Sequence, residues 1–149
     1  MANALIVYGC SGSGKTTYAK TKFDEMDGWV KRIERDQIRT ERGLLRNGWQ
    51  GYKFRGEDEY AVTAEWWRDL WYSVESDEDI IVSDTLCKIQ DRRNLYHFLV
   101  AQGYFVRFVR MNTSLEECVE RDSKRGIMSV GEKVISRQWE NLNKHEEHI

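Results

Sequence analysis

The chain carries Gly9-Cys10-Ser11-Gly12-Ser13-Gly14-Lys15-Thr16, the spacing G-x-x-x-x-G-K-T. That spacing suits a phosphate. Glycines let successive backbone N–H groups curl around phosphate oxygens with no Cβ in the way. A helix opening here would aim the positive end of its dipole at the same anion. The Lys15 ammonium would serve the β- and γ-phosphates, and the Thr16 hydroxyl a Mg²⁺ ion. Gly9, Ser11, Gly12, Ser13, Gly14, Lys15, Thr16 and Thr17 form the candidate ATP-binding set. A GTP-specific Asn-Lys-x-Asp is missing; the nearest string, Asn143-Lys144-His145-Glu146, lacks the final Asp.

Moving a γ-phosphate needs a base at the acceptor hydroxyl and positive charge over the transferring group. Three later segments hold such residues. In Glu34-Arg35-Asp36-Gln37-Ile38-Arg39-Thr40, Asp36 could take a proton. Arg39, three residues on, could hold an acceptor phosphate as a fork. The plainer alternative is a helix cap at Asp36 and a solvated Arg39. Asp84 ends an apolar run and could steady Mg²⁺ or its waters, or be an exposed strand-end acid. Arg121 and Arg125, four apart, could share one face of a helical lid over the phosphates. Equally, they could complement a helix dipole.

These residues need elements to place them. Ala4–Gly9, Trp29–Glu34, Asp79–Thr85 and Tyr104–Met111 read as strands. Helices are expected from about Gly14 to Met26, from Asp36 to about Arg46, over Asp58–Ser76 and over Asp91–Ala101. Thr113–Glu116 and Ser129–Glu132 read as capping boxes. They would open a helix ending near Gly126 and a last helix reaching about Lys144. Strands alternating with helices predict an α/β fold: a P-loop-type parallel sheet of about four strands, helix-covered, with a helical lid.

No proline, repeat or low-complexity linker interrupts the 149 residues, so a single domain over 1–149 is expected. Charged residues make up 32% and the net charge is −2, which excludes a wholly basic nucleic-acid binder. The distribution is uneven, with a net +5 over Trp29–Gly56 and −8 over Glu57–Ile80. A basic stretch beside a phosphate site suits an anionic acceptor. The N-terminus has no basic segment before its short apolar run, and no run is long enough to span a membrane. Three scattered cysteines fit free thiols in a reducing cytoplasm, and Cys10 is expected to pack rather than react.

Trp49-Gln50-Gly51-Tyr52-Lys53-Phe54-Arg55 interleaves rings and cations. It fits a single-strand stacking surface, and equally a loop pinned to the core by its rings. Trp66, Trp67 and Trp71 at helical spacing read as core. His97, His145 and His148 have no partner pattern.

Taken together, the phosphate loop, "ERDQIR", "IIVSDT" followed by Asp91-Arg92-Arg93, and "RDSKRG" resemble the kinase domain of T4-type phage polynucleotide 5′-kinases, enzymes of RNA and DNA end repair. The resemblance implies ATP and Mg²⁺ at Lys15 and Thr16, and Asp36 as general base. It implies Arg39 on the phosphate next to the acceptor nucleoside, Asp84 as a supporting acid, and Arg121 and Arg125 as lid arginines. The acceptor would be the 5′-hydroxyl end of RNA or single-stranded DNA. A phage-encoded chain would act in the host cytoplasm, and a homo-oligomer is compatible with the sequence. The family's Val-Pro beside the acceptor base is Val130-Gly131 here. No D-x-D-G-T phosphatase motif occurs, so no 3′-phosphatase activity is expected. A nucleoside or small-metabolite kinase and a non-catalytic nucleotide-binding protein are the alternatives. Arg39 speaks against the first, and Asp36 with the two-arginine lid against the second.

Overall fold

A computed structural model describes residues 2–26 and 28–144. His145 and His148 therefore lie outside the described residues. The elements run β1 (Asn3–Tyr8), α1 (Lys15–Glu25), β2 (Val30–Ile33), α2 (Arg35–Glu41), α3 (Gly56–Glu75), β3 (Asp79–Asp84), α4 (Ile89–Ala101), β4 (Phe105–Arg110), α5 (Leu115–Ser123), a 3-10 turn (Gly126–Met128) and α6 (Glu132–Lys144). The four strands are parallel in the order β2-β3-β1-β4.

Alternate residues of β1 feed two cores, as the strand period of two requires. Leu5 and Val7 face Ile81 of β3 and Ala19 of α1. Ala4, Ile6 and Tyr8 join the larger core with Trp66 and Leu70 of α3, Leu95 and Leu99 of α4, and Ile135 of α6. Both faces are covered, which explains the near-continuous apolar runs of β1 and β3. Register aligns Tyr8 with Asp84 and with Arg110, so β1, β3 and β4 finish level at one edge.

Several boundaries differ from expectation. Helix α2 stops at Glu41, not Arg46, because Gly43 turns the chain at φ +75°. Helix α3 starts at Gly56, two residues early, since the Arg55 carbonyl accepts from the Glu59 amide. Helix α4 begins at Ile89, with the Lys88 carbonyl taking the amides of Asp91 and Arg92. Ser114, not Thr113, caps α5, accepting from the Glu117 N–H. The expected box at Ser129 does not form; that hydroxyl donates to Asp122 instead.

Trp66 is buried and Trp67 packs on the core, while Trp71 is half-exposed against Phe98. Cys10 and Cys118 are buried free thiols, and burial pushes the Cys10 thiol up to about 12. Packing, not nucleophilic chemistry, is the role this leaves Cys10. Among the described residues, no helix is long and apolar enough to cross a membrane.

Candidate active site

The loop Gly9–Gly14 runs from the end of β1 into α1. Gly14 is the N-cap of α1 at φ +93° and supplies no side-chain cap. The first-turn amides of α1 are thus left for an external acceptor. The Ser13 hydroxyl is buried without a partner among the described residues. Lys15 Nζ folds back to donate to the Cys10 carbonyl at 3.2 Å. Burial draws the Lys15 ammonium below the usual lysine range, with Asp36 and Asp84 opposing the shift. These groups fit a bound polyphosphate, whose charge would offset the cost of burying that ammonium.

Three elements brace the loop from outside. Thr113 Oγ1 donates to the Ser13 carbonyl at 2.8 Å. Gln138 of α6 accepts from the Ser11 N–H at 2.9 Å and donates to its hydroxyl at 3.2 Å. Helix α5 presses against Gly12, where a Cβ would stand 2.5 Å from the Cys118 carbonyl oxygen at a φ of +80°. Gly12→Ala is therefore expected to push α5 off the loop and weaken ATP binding about tenfold or more, read by calorimetric titration.

Helix α2 rises from the end of β2. Its first amide, from Arg35, donates to Asp84 Oδ1 at 2.9 Å. Asp84 Oδ2 accepts from Trp66 Nε1 at 2.9 Å, and the Arg35 guanidinium lies 4.0 Å above the Trp66 ring. This removes the alternative in which Asp36 caps α2. The N-cap is Glu34, without a side-chain bond, and Asp84 serves the helix end. Nor is Asp84 an exposed strand-end acid. It is 7% exposed, and burial pushes its carboxyl up to about 6 despite Arg35.

Relieved of capping, Asp36 has a side chain 63% exposed and accepts from Arg39 Nη1 at 2.6 Å. Arg39 is not solvated. Its Nε and Nη2 fork onto Glu59 at 3.0 and 2.7 Å, and its guanidinium sits 5.4 Å over Trp49. Burial opposes the Arg39 charge, but Glu59 and Asp36 more than compensate. The same fork holds Glu59 below the usual carboxylate range. Tyr52 donates its hydroxyl to Glu59 as well. Three of the five guanidinium protons are thereby used and two remain.

The lid differs from expectation. Helix α5 ends at Ser123, and the Lys124 and Arg125 amides close tight turns onto the Arg121 and Asp122 carbonyls. Arg121 and Arg125 therefore share no helical face. Arg121 Nη1 lies 3.4 Å from the Gly12 carbonyl while Nη2 pairs with Glu117 at 2.7 Å. Arg125 lines the cavity described next. Asp122, 2% exposed, accepts from the Ser129 hydroxyl at 2.7 Å and from the Val130 and Gly131 amides at 3.0 Å. Gly131 has φ +92°, which proline cannot adopt, so Val-Gly here is a different turn from Val-Pro.

One cavity of about 460 Å³ gathers Lys15 and Thr16, Asp36 and Arg39, Asp84, Arg125 and Val130. Thr17 and Arg121 do not line it. Trp49 and Phe54 of the ring-and-cation loop do, and so do Glu34, Arg35, Arg137 and Gln138, to which no motif in the sequence assigns a role. Val134, Arg137 and Gln138 of α6 recur at i, i+3 and i+4, one helical face that periodicity could have found. Arg92, by contrast, is buried, donates to the Leu86 carbonyl and lies 4.8 Å over the Tyr8 ring. It supports the turn after β3, where Leu86 takes φ +44°. Among the described residues no group of three His, Cys, Asp or Glu side chains could hold a metal unaided.

Over 150 residues the chain is 27% identical to a protein named as a bifunctional polynucleotide kinase/RNA ligase of Autographa californica nuclear polyhedrosis virus, covering 94% of this chain and 21% of that one. A chain from the structure of the Pnkp1/Rnl/Hen1 RNA repair complex superposes with a TM-score of 0.79 at 21% identity, covering 99% of this chain and 46% of that chain. A gluconokinase from Sinorhizobium meliloti 1021 superposes with a TM-score of 0.62 at 21% identity, over 94% and 74%. The chain thus spans about a fifth of the viral relative and just under half of the repair-complex chain. The family described as AAA domain matches residues 5–148. With its phosphate loop between β1 and α1 under a parallel sheet, the chain belongs to that family.

Proposed function

We propose that this chain is an ATP-dependent polynucleotide 5′-hydroxyl kinase domain. The observation that carries the reading is the shared cavity: Lys15 and Thr16 on one wall, Asp36 and Arg39 on another. Bound ATP with Mg²⁺ would supply the electrophilic γ-phosphoryl group. The loop amides and Lys15 would hold its phosphates, and Thr16 and Asp84 would hold the metal. Asp36 accepts the proton of the 5′-hydroxyl as its oxygen bonds to the γ-phosphorus and the bond to the β-phosphate oxygen breaks. The two remaining Arg39 protons take the phosphate on the 3′ side of the acceptor nucleoside. Val130 and Val134 give its base an apolar wall. Arg121 steadies the closed loop, and Arg125 offsets charge on the transferring oxygens.

The names of the viral relative and of the RNA repair complex support a nucleic-acid acceptor. The likeness to gluconokinase shows the shared fold alone.

The test offers γ-labelled ATP and Mg²⁺ with a 5′-hydroxyl oligonucleotide, a nucleoside 3′-phosphate and a free nucleoside, each separately. Label is expected on the first two and at least tenfold less on the third, which has nothing for Arg39. No label on the oligonucleotide overturns the proposal. Equal label on the free nucleoside makes the chain a small-metabolite kinase.

A further inference from the structure

We propose that Trp49 and Phe54 form a stacking platform for the second nucleobase of the acceptor strand, counted from its 5′-hydroxyl end. The inference rests on the polynucleotide kinase reading and names a further subsite of that cavity.

The rings of the loop between α2 and α3 do different jobs. Tyr52 is the pin: it is buried and its hydroxyl is bound to Glu59. Trp49 is half-buried, and its ring is stacked with that of Phe54 at 5.9 Å and 17°. Phe54 is 68% exposed, yet it lines the cavity wall next to Trp49. A ring present only to anchor the loop would be covered; this one offers a large area to whatever enters. Its centroid spacing to Trp49 leaves no gap for a base between the rings, so a base would lie on the outer ring.

The Trp49 side of the platform is tied down before anything binds. The Trp49 amide donates to the Ile127 carbonyl at 2.9 Å, and the Tyr52 amide donates to the Trp49 carbonyl at 3.2 Å. A ring already held in place stacks with a smaller ordering cost, and Trp49 backs Phe54 in this way.

Charge selects the occupant. Lys53 and Arg55 flank Phe54, both exposed, and neither has an ion-pair partner among the described residues. On the cavity side lies Arg39, 5.4 Å from the Trp49 ring. A ligand leaving Arg39 across this loop meets a π-face edged by cations, the combination that holds single-stranded nucleic acid without reading its sequence. With the first nucleoside's hydroxyl at Asp36 and its 3′-phosphate at Arg39, the next base is the group that reaches Trp49 and Phe54.

Steady-state kinetics with two acceptors test this, a nucleoside 3′-phosphate and a 5′-hydroxyl dinucleotide. The wild-type KM is expected to be about tenfold lower for the dinucleotide, the size of one base–aromatic stack. Phe54→Ala should erase most of that gain through KM, with kcat for the dinucleotide within about twofold. Phe54→Tyr, which keeps a ring, should restore it. Phe54 is exposed enough that neither change should alter the thermal midpoint. A KM rise shared equally by both acceptors, or no gain in the wild type, overturns the platform and leaves the kinase reading standing. No transfer to either acceptor by the wild type sinks both.

Discussion

Asp36→Asn is expected to lower kcat by about 10² to 10⁴, the range that positioned general bases contribute. Affinity for ATP should change by less than about twofold. Asparagine keeps the shape of the side chain and still offers an oxygen to Arg39 Nη1, which now lies 2.6 Å from the carboxylate. It cannot accept the proton. Because Asp36 does not cap α2, that helix keeps its support from Asp84, and folding should be unaffected. Single-turnover transfer from γ-labelled ATP, beside a calorimetric ATP titration, separates the two quantities. An equal collapse of ATP affinity would make Asp36 a structural residue and remove the base from the mechanism.

The second large effect concerns stability. Asp122→Ala should cost about 3 kcal/mol, since it strands the Val130 and Gly131 amides and the Ser129 hydroxyl that now converge on one buried carboxylate. For a chain of this size that is a fall in Tm of about 10 °C. Burial works against the Asp122 charge, but the three hydrogen bonds prevail and hold its carboxyl below the usual aspartate range. The folded-state pKa therefore lies below the unfolded one. The stabilisation is fully present above the unfolded value, near pH 4, and is lost as pH falls through the lowered one. Urea melts of wild type and variant should differ most at pH 7 and converge in acid. A gap that widens in acid would contradict this account. Asp122→Asn, which keeps one acceptor oxygen, should fall between the two and lose the pH dependence.

The parts of this molecule legible in sequence are those set by local rules. The phosphate loop is a fixed spacing of glycines, and the apolar runs of β1 and β3, reaching Gly9 and Asp84, read directly as parallel strands. What stayed hidden depends on partners distant in the chain. Asp84 serves the end of α2 from 49 residues away, whereas a rule that looks for a cap beside the helix start can offer only Asp36 as an alternative to its role as base. Glu59 holds Arg39 across 20 residues of turn and loop, and nothing in "ERDQIR" foretells it. The lid departs from its sequence pattern for a related reason. Spacing of four puts two arginines on one face only while the helix lasts, and α5 ends between Arg121 and Arg125. The Trp49–Arg55 loop kept two readings open because rings that pin and rings that wait look alike in sequence. The fold divides them, burying Tyr52 and leaving Phe54 out.

The strand order β2-β3-β1-β4 has a geometric consequence for the proposed reaction. The donor loop follows β1 and the acceptor base follows β2, with β3 between them. Two strand spacings set the ends of β1 and β2 about 10 Å apart, and the side chains reach inward from them to the shared cavity. The sheet is thus a ruler whose length is fixed by backbone hydrogen bonds and by no side chain. Asp84, at the tip of the middle strand, stands at its midpoint. Surface residues on either half can drift and change which acceptor is taken, while the separation of the strand ends that carry Lys15 and Asp36 stays the same.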